Sequence, residues 1–255
     1  MQPAITLFLL ILIKTGSRLL FRFREGWVGG RPENPWRDVR LVAILNHTSL
    51  YEPIYAGLVP FHFLVRIARH GLVPVAAKTM RRPLVGRFFR LIAPNVVPIT
   101  RRRDHTWSEF GESIGSDSLV VILPEGRMKR ATGLDSKGRP MTVRGGIADV
   151  LLAIPEGKLI VAYSGGLHHV QVPGQRLPRL FQTVWMNFEE LRIEEYREGI
   201  LETHDHRHFK QGVIEDLEAR RDRYCPTPDN PEARKLARTE EDEHERTIDV
   251  EQEAG

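Results

Sequence analysis

Short apolar runs along the chain have the length and the flanking residues of buried β-strands. Each run is followed by polar or glycine-containing residues, as at strands that end in loops. The runs lie at residues 41–45, 72–77, 96–99, 119–123 and 159–163. Between them lie amphipathic stretches of helical length, at residues 49–59, 82–93, 105–114 and 143–154. Strands that alternate with helices predict an α/β domain with a largely parallel sheet flanked by helices.

Residues with useful chemistry directly follow these predicted strands. Asn46 and His47 come after the first strand, Arg101 after the third, Glu125 after the fourth and Ser164 after the fifth. Open α/β sheets bind ligands at the carboxyl ends of their strands. We therefore expect these groups to converge on one crevice.

The N-terminus predicts contact with a membrane surface. Residues 4–13 form an almost continuous apolar run, which is shorter than the roughly 20 residues of a spanning helix. Lys14, Arg18, Arg22 and Arg24 follow the run, whereas a secretory signal carries its positive charge before it. The pattern predicts a helix that dips into one leaflet with cations at the headgroups. A buried core helix is the alternative.

Charge divides the chain unequally. From Pro226 onward there are ten acidic and four basic side chains, a net charge of −6. Because the whole chain has a net charge of +4, the first 225 residues have a net charge of +10. A basic body favours anionic partners, and the acidic end is typical of a solvated, disordered tail. The predicted segments are a membrane-associating region at 1–35, a catalytic domain at 36–225 and the tail at 226–255. The single cysteine, Cys225, excludes an internal disulfide and suits a reducing, cytoplasmic setting.

His47 and Glu52 form the strongest candidate for catalysis. A histidine that deprotonates a hydroxyl needs an acceptor on its other ring nitrogen, which fixes the tautomer and stabilises the imidazolium. On one continuous helix, residues five apart point about 140° away from each other. The pair can meet only if His47 lies in a strand-to-helix turn and Glu52 in the first helical turn, where we predict a hydrogen bond between them.

A structural role is the alternative for Glu52. Ser49 and Glu52 have the spacing of a capping box, in which the carboxylate only accepts a bond from a backbone N–H. Pro53 disfavours the α region at Glu52, which weakens a regular first turn. The pattern alone leaves both interpretations open.

Across residues 41–166 the sequence resembles the glycerolipid acyltransferases related to bacterial 1-acylglycerol-3-phosphate acyltransferase. The first family block, Asn-His followed by an acid, matches Asn46, His47 and Glu52, although Glu52 replaces the usual Asp. Ordered matches follow for a Lys-Pro-Gly pattern, an arginine after an apolar strand, a Pro-Glu-Gly-Arg turn and a basic residue before two glycines. They lie at Lys78, Pro83 and Gly86; at Arg101; at residues 124–127; and at residues 144–146. The fourth-block strand lacks the usual proline, and Pro94-Asn95 replaces the glycine before the second block.

The resemblance implies a division of labour in transfer of a fatty acyl chain to a lysophospholipid. His47 would be the general base and Glu52 would orient it. Asn46, Arg101, Glu125, Gly126 and Arg127 would bind substrate, with Arg101 on the phosphate and Glu125 accepting from a glycerol hydroxyl. The donor would be acyl-CoA or acyl carrier protein, with no cofactor and no metal. The partners would be the lysophospholipid acceptor, the thioester donor and an anionic membrane on its cytoplasmic face.

Other functions are weighed against this one. The acceptor could be a phosphate-free lysolipid such as lyso-ornithine lipid, or the scaffold could be a non-catalytic binder of membrane or nucleic acid. The basic runs 81–82, 101–103 and 129–130 lack the accompanying motif of a nucleic-acid-binding fold, so no nucleic acid is expected. Three histidines at 204–208 lack the further ligands of a closed metal site. Arg101 and Glu125 could also be ordinary surface and turn residues.

Overall fold

The computed structural model describes residues 2–100, 105–172, 175 and 177–237. Seven strands in these residues form one sheet: β1 Arg22–Trp27, β2 Val39–Leu45, β3 Gly71–Ala76, β4 Asn95–Ile99, β5 Leu119–Ile122, β6 Lys158–Ser164 and β7 Thr183–Arg192. Across the sheet their order is β1-β7-β6-β2-β5-β3-β4. Neighbouring strands are parallel except β6 and β7. The predicted α/β fold with a largely parallel sheet is confirmed, and the five predicted strands are β2 to β6.

The helices surround this sheet. They are α1 Gln2–Leu20, α2 Phe61–His70, α3 Ala77–Met80, α4 Pro83–Ile92, α5 His105–Glu112, α6 Gly146–Ala153, α7 Ile193–Thr203, α8 Phe209–Tyr224 and α9 Pro231–Lys235, with a 3₁₀ helix at Glu52–Gly57. The stretches predicted at 82–93, 105–114 and 143–154 correspond to α4, α5 and α6. The helix predicted at 49–59 is instead the short 3₁₀ helix, because Pro53 keeps the preceding Glu52 out of a regular α turn.

Alternating side chains of the central strand divide the core into two layers. Leu41, Ala43 and Leu45 point to one face, where they pack with residues of α6, α7 and α8. Val42 points to the other face, towards the 3₁₀ helix and α2. Helix α8 is densely charged, which indicates a solvated surface helix. One of its faces is nevertheless buried through Phe209, Val213 and Leu217, because these apolar residues lie on its inner side.

Helix α1 lies over the second layer and extends beyond the apolar run that predicts it. It is long and apolar enough, by length and composition, to cross a membrane, but it packs on α2 and α4 through Leu10. Lys14 Nζ donates to the carbonyl oxygens of Gly57 and Val59 at 3.2 and 2.7 Å. Arg18 Nε donates to the Gly57 oxygen at 2.8 Å. These two cations, expected at lipid headgroups, instead attach α1 to the 3₁₀ helix.

The two outer predicted segments each contain an element that packs on the central domain. The segment 1–35 contains β1, which pairs with β7 in the sheet. The segment 226–255 begins with α9, and Asn187 Nδ2 donates to the Ala233 oxygen at 2.6 Å. The acidic residues 238–255, predicted to be a disordered tail, lie outside the described residues.

Candidate active site

The hydrogen bond predicted between His47 and Glu52 is confirmed. His47 Nδ1 lies 2.7 Å from Glu52 Oε1, and the two side chains are 15% and 8% exposed. His47 lies in the turn after β2, and Glu52 begins the 3₁₀ helix, as the spacing requires. The same Glu52 oxygen accepts from the Thr48 backbone N–H at 3.1 Å. The contacts differ from those of the alternative capping box, because Glu52 accepts from the N–H of Thr48 and Ser49 Oγ accepts from the N–H of Tyr51. The carboxylate of Glu52 thus satisfies a backbone donor and also contacts the imidazole.

A second carboxylate holds the backbone of this turn. Glu125 Oε2 accepts from the His47 N–H at 2.8 Å, and Oε1 accepts from the Asn46 N–H at 3.3 Å. Arg221 Nη1 from α8 approaches Oε1 at 3.4 Å. Glu125 is 1% exposed. Its pKa is raised by burial, against which the backbone N–H of His47 and the charge of Arg221 favour the carboxylate.

Asn46 has an unusual backbone conformation and a fully used side chain. Its φ is +64°, in the left-handed region that few residues other than glycine, asparagine and aspartate adopt. Its Nδ2 donates to the Ser164 oxygen at 2.9 Å, and its Oδ1 accepts from Lys129 Nζ at 3.3 Å. The turn thereby ties the ends of β2 and β6 together.

The ends of β2 and β6 are also joined by hydroxyl groups. Thr48 Oγ1 accepts from the Leu167 N–H at 2.8 Å. Ser164 Oγ lies 2.5 Å from the Tyr55 hydroxyl and accepts from the Gly166 N–H at 2.9 Å. Burial and then the charge of Glu52 raise the pKa of Tyr55, so this hydroxyl stays protonated and can donate.

A cleft of about 510 Å³ borders Asn46. Its walls come from the end of β2, the loop after β5 and the segment between α8 and α9, with Lys129, Arg221, Arg223, Cys225, Asp229 and Asn230 among the lining residues. Burial raises the pKa of the Cys225 thiol well above its usual range, and the charge of Glu125 raises it further. Cys225 therefore lacks the thiolate that nucleophilic catalysis needs.

The expected convergence at the carboxyl ends of the strands is confirmed for β2, β5 and β6 through Asn46, Glu125 and Ser164. Gly126 turns with φ of +60°. Arg127, expected to bind substrate, makes an ion pair with Asp135 and is 11% exposed. Arg101 lies outside the described residues. Arg221 was missed by sequence reasoning, because a cation on a charged helix carries no signal of the buried carboxylate it reaches.

The histidines at 204–208 form no metal site in the part of the chain that the structure describes. No group of three or more His, Cys, Asp or Glu side chains there is placed to hold a metal ion. His204 and His208 instead approach Glu215 and Asp205 at 3.4 and 2.7 Å.

The structure places a histidine beside a carboxylate at the carboxyl edge of an α/β sheet, an arrangement that has the chemistry to activate a hydroxyl or water. A family model described as "Acyltransferase" matches residues 30–164, which is more than half of the chain. The protein belongs to the acyltransferase family, and the membership predicted from the ordered blocks is confirmed.

One solved structure similar to this chain is the 1-acyl-sn-glycerophosphate (LPA) acyltransferase PlsC from Thermotoga maritima. The two chains share 18% sequence identity, and the superposition covers 83% of this chain and 80% of the other with a TM-score of 0.49. A search of curated proteins found no match.

Proposed function

We propose that the protein transfers a fatty acyl chain from acyl-CoA or acyl carrier protein to the hydroxyl of a lysophospholipid such as 1-acylglycerol 3-phosphate. The observation that carries the proposal is the 2.7 Å contact between His47 Nδ1 and Glu52 Oε1 in a chain of the acyltransferase family. The reaction would serve phospholipid biosynthesis or remodelling.

The mechanism begins with the tautomer that this contact favours. With Nδ1–H donating to Glu52, Nε2 is the proton acceptor. His47 takes the proton of the acceptor hydroxyl while the oxygen of that hydroxyl attacks the thioester carbonyl carbon. The tetrahedral intermediate collapses, the C–S bond breaks, and the imidazolium returns its proton to the leaving thiolate. The products are the new ester and the free thiol, and Glu52 stabilises the imidazolium throughout.

The acceptor phosphate would be bound by Arg101 and Lys129. Lys129 Nζ lies at the cleft beside Asn46, and guanidinium and ammonium groups form charge-assisted bonds to phosphate. The resemblance implies that Glu125 accepts a hydrogen bond from a glycerol hydroxyl, but both of its oxygens already accept from the backbone N–H groups of Asn46 and His47. We propose that Glu125 positions His47, and that Asn46, Gly126 and Arg127 shape the adjoining wall of the acceptor site.

The cleft also favours a second acceptor. The cations Lys129 and Arg223 share its lining with the acids Asp229 and Glu232. Mixed charge suits a zwitterionic headgroup, as in a phosphate-free lyso-ornithine lipid, as well as it suits a phosphate. The acceptor headgroup is therefore the variable to test first.

The reaction would take place at the cytoplasmic face of the cell membrane. Helix α1 exposes Phe8, Leu12 and Leu19, which are 65%, 58% and 73% exposed. Its packing on α2 and on the 3₁₀ helix favours attachment in the plane of one leaflet over a separate span.

The test is product analysis by mass spectrometry with native protein and the His47→Ala variant. Each would be given lysophosphatidic acid, lyso-ornithine lipid and an uncharged lysolipid, with acyl-CoA or acyl-carrier protein. Native protein should acylate lysophosphatidic acid, and the variant should lose turnover by at least ~10²-fold because the base is absent.

A thermal melt controls for folding, and the variant should stay folded because His47 lies in the turn after β2 and not within a strand of the sheet. Near-normal turnover by the folded variant would exclude His47 as the base. Preference for lyso-ornithine lipid would replace the proposed acceptor. Lipid binding without any product would make the protein a binder.

A further inference from the structure

Helix α4 carries an apolar stripe that faces outward. Leu84, Phe88 and Leu91 are 84%, 39% and 38% exposed, and their spacing places them on one side of the helix. The opposite side packs on the body through Ile92 and Phe89. There Gly86 is required, because a Cβ would lie 2.2 Å from the Met80 carbonyl oxygen. The helix therefore has a satisfied inner face and a second apolar face with no covering element in the described residues.

The charge around this stripe has one sign. Arg81, Arg82, Arg87 and Arg90 are all exposed. Between Glu52 and Asp104 the sequence contains ten Lys or Arg residues and no Asp or Glu. An apolar stripe bordered only by cations is typical of a helix that lies in the interface of an anionic bilayer.

The stripe adjoins the exposed face of α1. Thr6 Oγ1 donates to the Leu91 oxygen at 2.9 Å, and Gln2 Nε2 donates to the Pro94 oxygen at 3.3 Å. On either side of Thr6, Ile5 and Phe8 are 46% and 65% exposed. The apolar residues of the two helices thus meet at this contact and extend one another.

We infer that α4 is a second lipid-binding helix, which docks on anionic phospholipid beside α1. This inference rests on the proposed membrane location. Helix α4 connects the carboxyl end of β3 to the amino end of β4, so its first turn lies towards the sheet edge that carries His47. Two helices in the headgroup region fix the rotation of the protein on the membrane, which a single helix leaves open, and bring that edge towards the lipid acceptor.

The inference is tested by replacing the stripe in the full chain. The triple variant Leu84→Ser, Phe88→Ser and Leu91→Ser should bind vesicles of phosphatidylcholine and phosphatidylglycerol ~10-fold less well or worse in a sedimentation assay, because three apolar side chains no longer leave water. The matched control is Leu152→Ser on α6, which is 59% exposed on the opposite layer and should bind as the native protein does.

The arginines give a second, independent variant. Arg87→Gln with Arg90→Gln should weaken binding to these vesicles by about fivefold per charge. The effect should vanish at high salt and on vesicles of phosphatidylcholine alone.

Undiminished binding by both variants would overturn the inference. Unchanged vesicle binding with a change of oligomeric state on size exclusion would assign the face to a second copy of the chain instead. Acyl transfer to a detergent-dispersed acceptor is measured in parallel. Absence of that activity in the native protein would contradict the proposed function. A variant that loses vesicle binding but keeps the activity would support the role of α4 in lipid binding and leave the proposed function untouched.

Discussion

The turn after β2 and the turn after β5 each carry a conspicuous carboxylate, and the two carboxylates do different work. Glu52 follows the first turn and contacts a side chain, His47 Nδ1, while it also accepts one backbone N–H. Glu125 lies in the second turn and accepts two backbone N–H groups of the first. The first acid acts on the imidazole directly, and the second acts on the segment that carries it.

The difference shows that the position of an acid at the end of a strand does not by itself assign it a catalytic role. Both acids are buried at the same edge of the sheet, but only the partners of Glu52 include a titratable side chain with base chemistry. Glu125 is further held by Arg221, 3.4 Å away, which lies outside the family-matched residues 30–164. The C-terminal helices therefore help to build a site whose motifs precede them.

The sharpest way to separate the two acids is to remove the charge of Glu52. Glu52→Gln keeps an oxygen that can accept from the Thr48 N–H, but it removes the negative charge that would stabilise the His47 imidazolium. Since a hydrogen bond to a charged group contributes ~1.5–3 kcal/mol, kcat should fall ~10- to 100-fold. The free energy of unfolding should change little. Initial rates and a urea titration measure both quantities, and Glu52→Asp, which restores the charge, is the control. A rate equal to the native rate would remove Glu52 from the mechanism.

Glu125→Gln should show the reverse pattern. The amide can accept through only one of its two ends, so its NH₂ would face the N–H of His47 or Asn46 and leave a buried donor unsatisfied. Such a loss costs ~1–3 kcal/mol of stability, which the same urea titration would detect. The matched control is Glu218→Gln, because Glu218 accepts a single backbone bond, from Val143 at 2.8 Å. A stability loss no larger than that of the control would contradict a special role for Glu125 in holding the turn.

The smallest effect concerns pH. Because burial raises the pKa of Glu125, its carboxyl binds a proton more tightly in the folded than in the unfolded chain. Its contribution to stability is therefore full below the ordinary glutamate pKa of about 4.5 and is lost as the pH rises through the folded-state value. The Glu125→Gln variant should lack this loss. Urea titrations of both proteins across this pH range measure their free energies of unfolding. With rising pH, the free energy of unfolding of the native protein should fall relative to that of the variant. A difference independent of pH would contradict the raised pKa.

Much of the fold follows from continuous apolar runs. Strands β2 to β6 are such runs, and their alternation with helical stretches predicts their parallel arrangement. Strands β1 and β7 were not predicted, because β1 is a charged segment with only Trp27 and Gly26 buried. Strand β7 mixes buried apolar residues with a buried Asn187. In both strands the sheet accommodates polar residues through specific partners that a single sequence does not display.

The contact between His47 and Glu52 could be predicted because a five-residue spacing permits only one geometry for it. The partners of Glu125 could not, since they come from backbone N–H groups and from an arginine 96 residues away. The ion pair of Arg127 with Asp135 likewise depends on how the loop after β5 folds back. The roles of Arg101, Asn46 and Gly126 towards substrate stay predictions.

The left-handed backbone of Asn46 restricts which residues a mutation can place beside His47. Residues with a branched or bulky Cβ would cost ~1–2 kcal/mol in that conformation, so glycine and aspartate are the natural competitors. Glycine would keep the turn but lose both amide contacts to Ser164 and Lys129. Aspartate would keep the contact to Lys129 but turn an acceptor towards the Ser164 carbonyl in place of a donor. The position is constrained twice, by a torsion and by a donor–acceptor polarity, and asparagine alone satisfies both constraints at this junction.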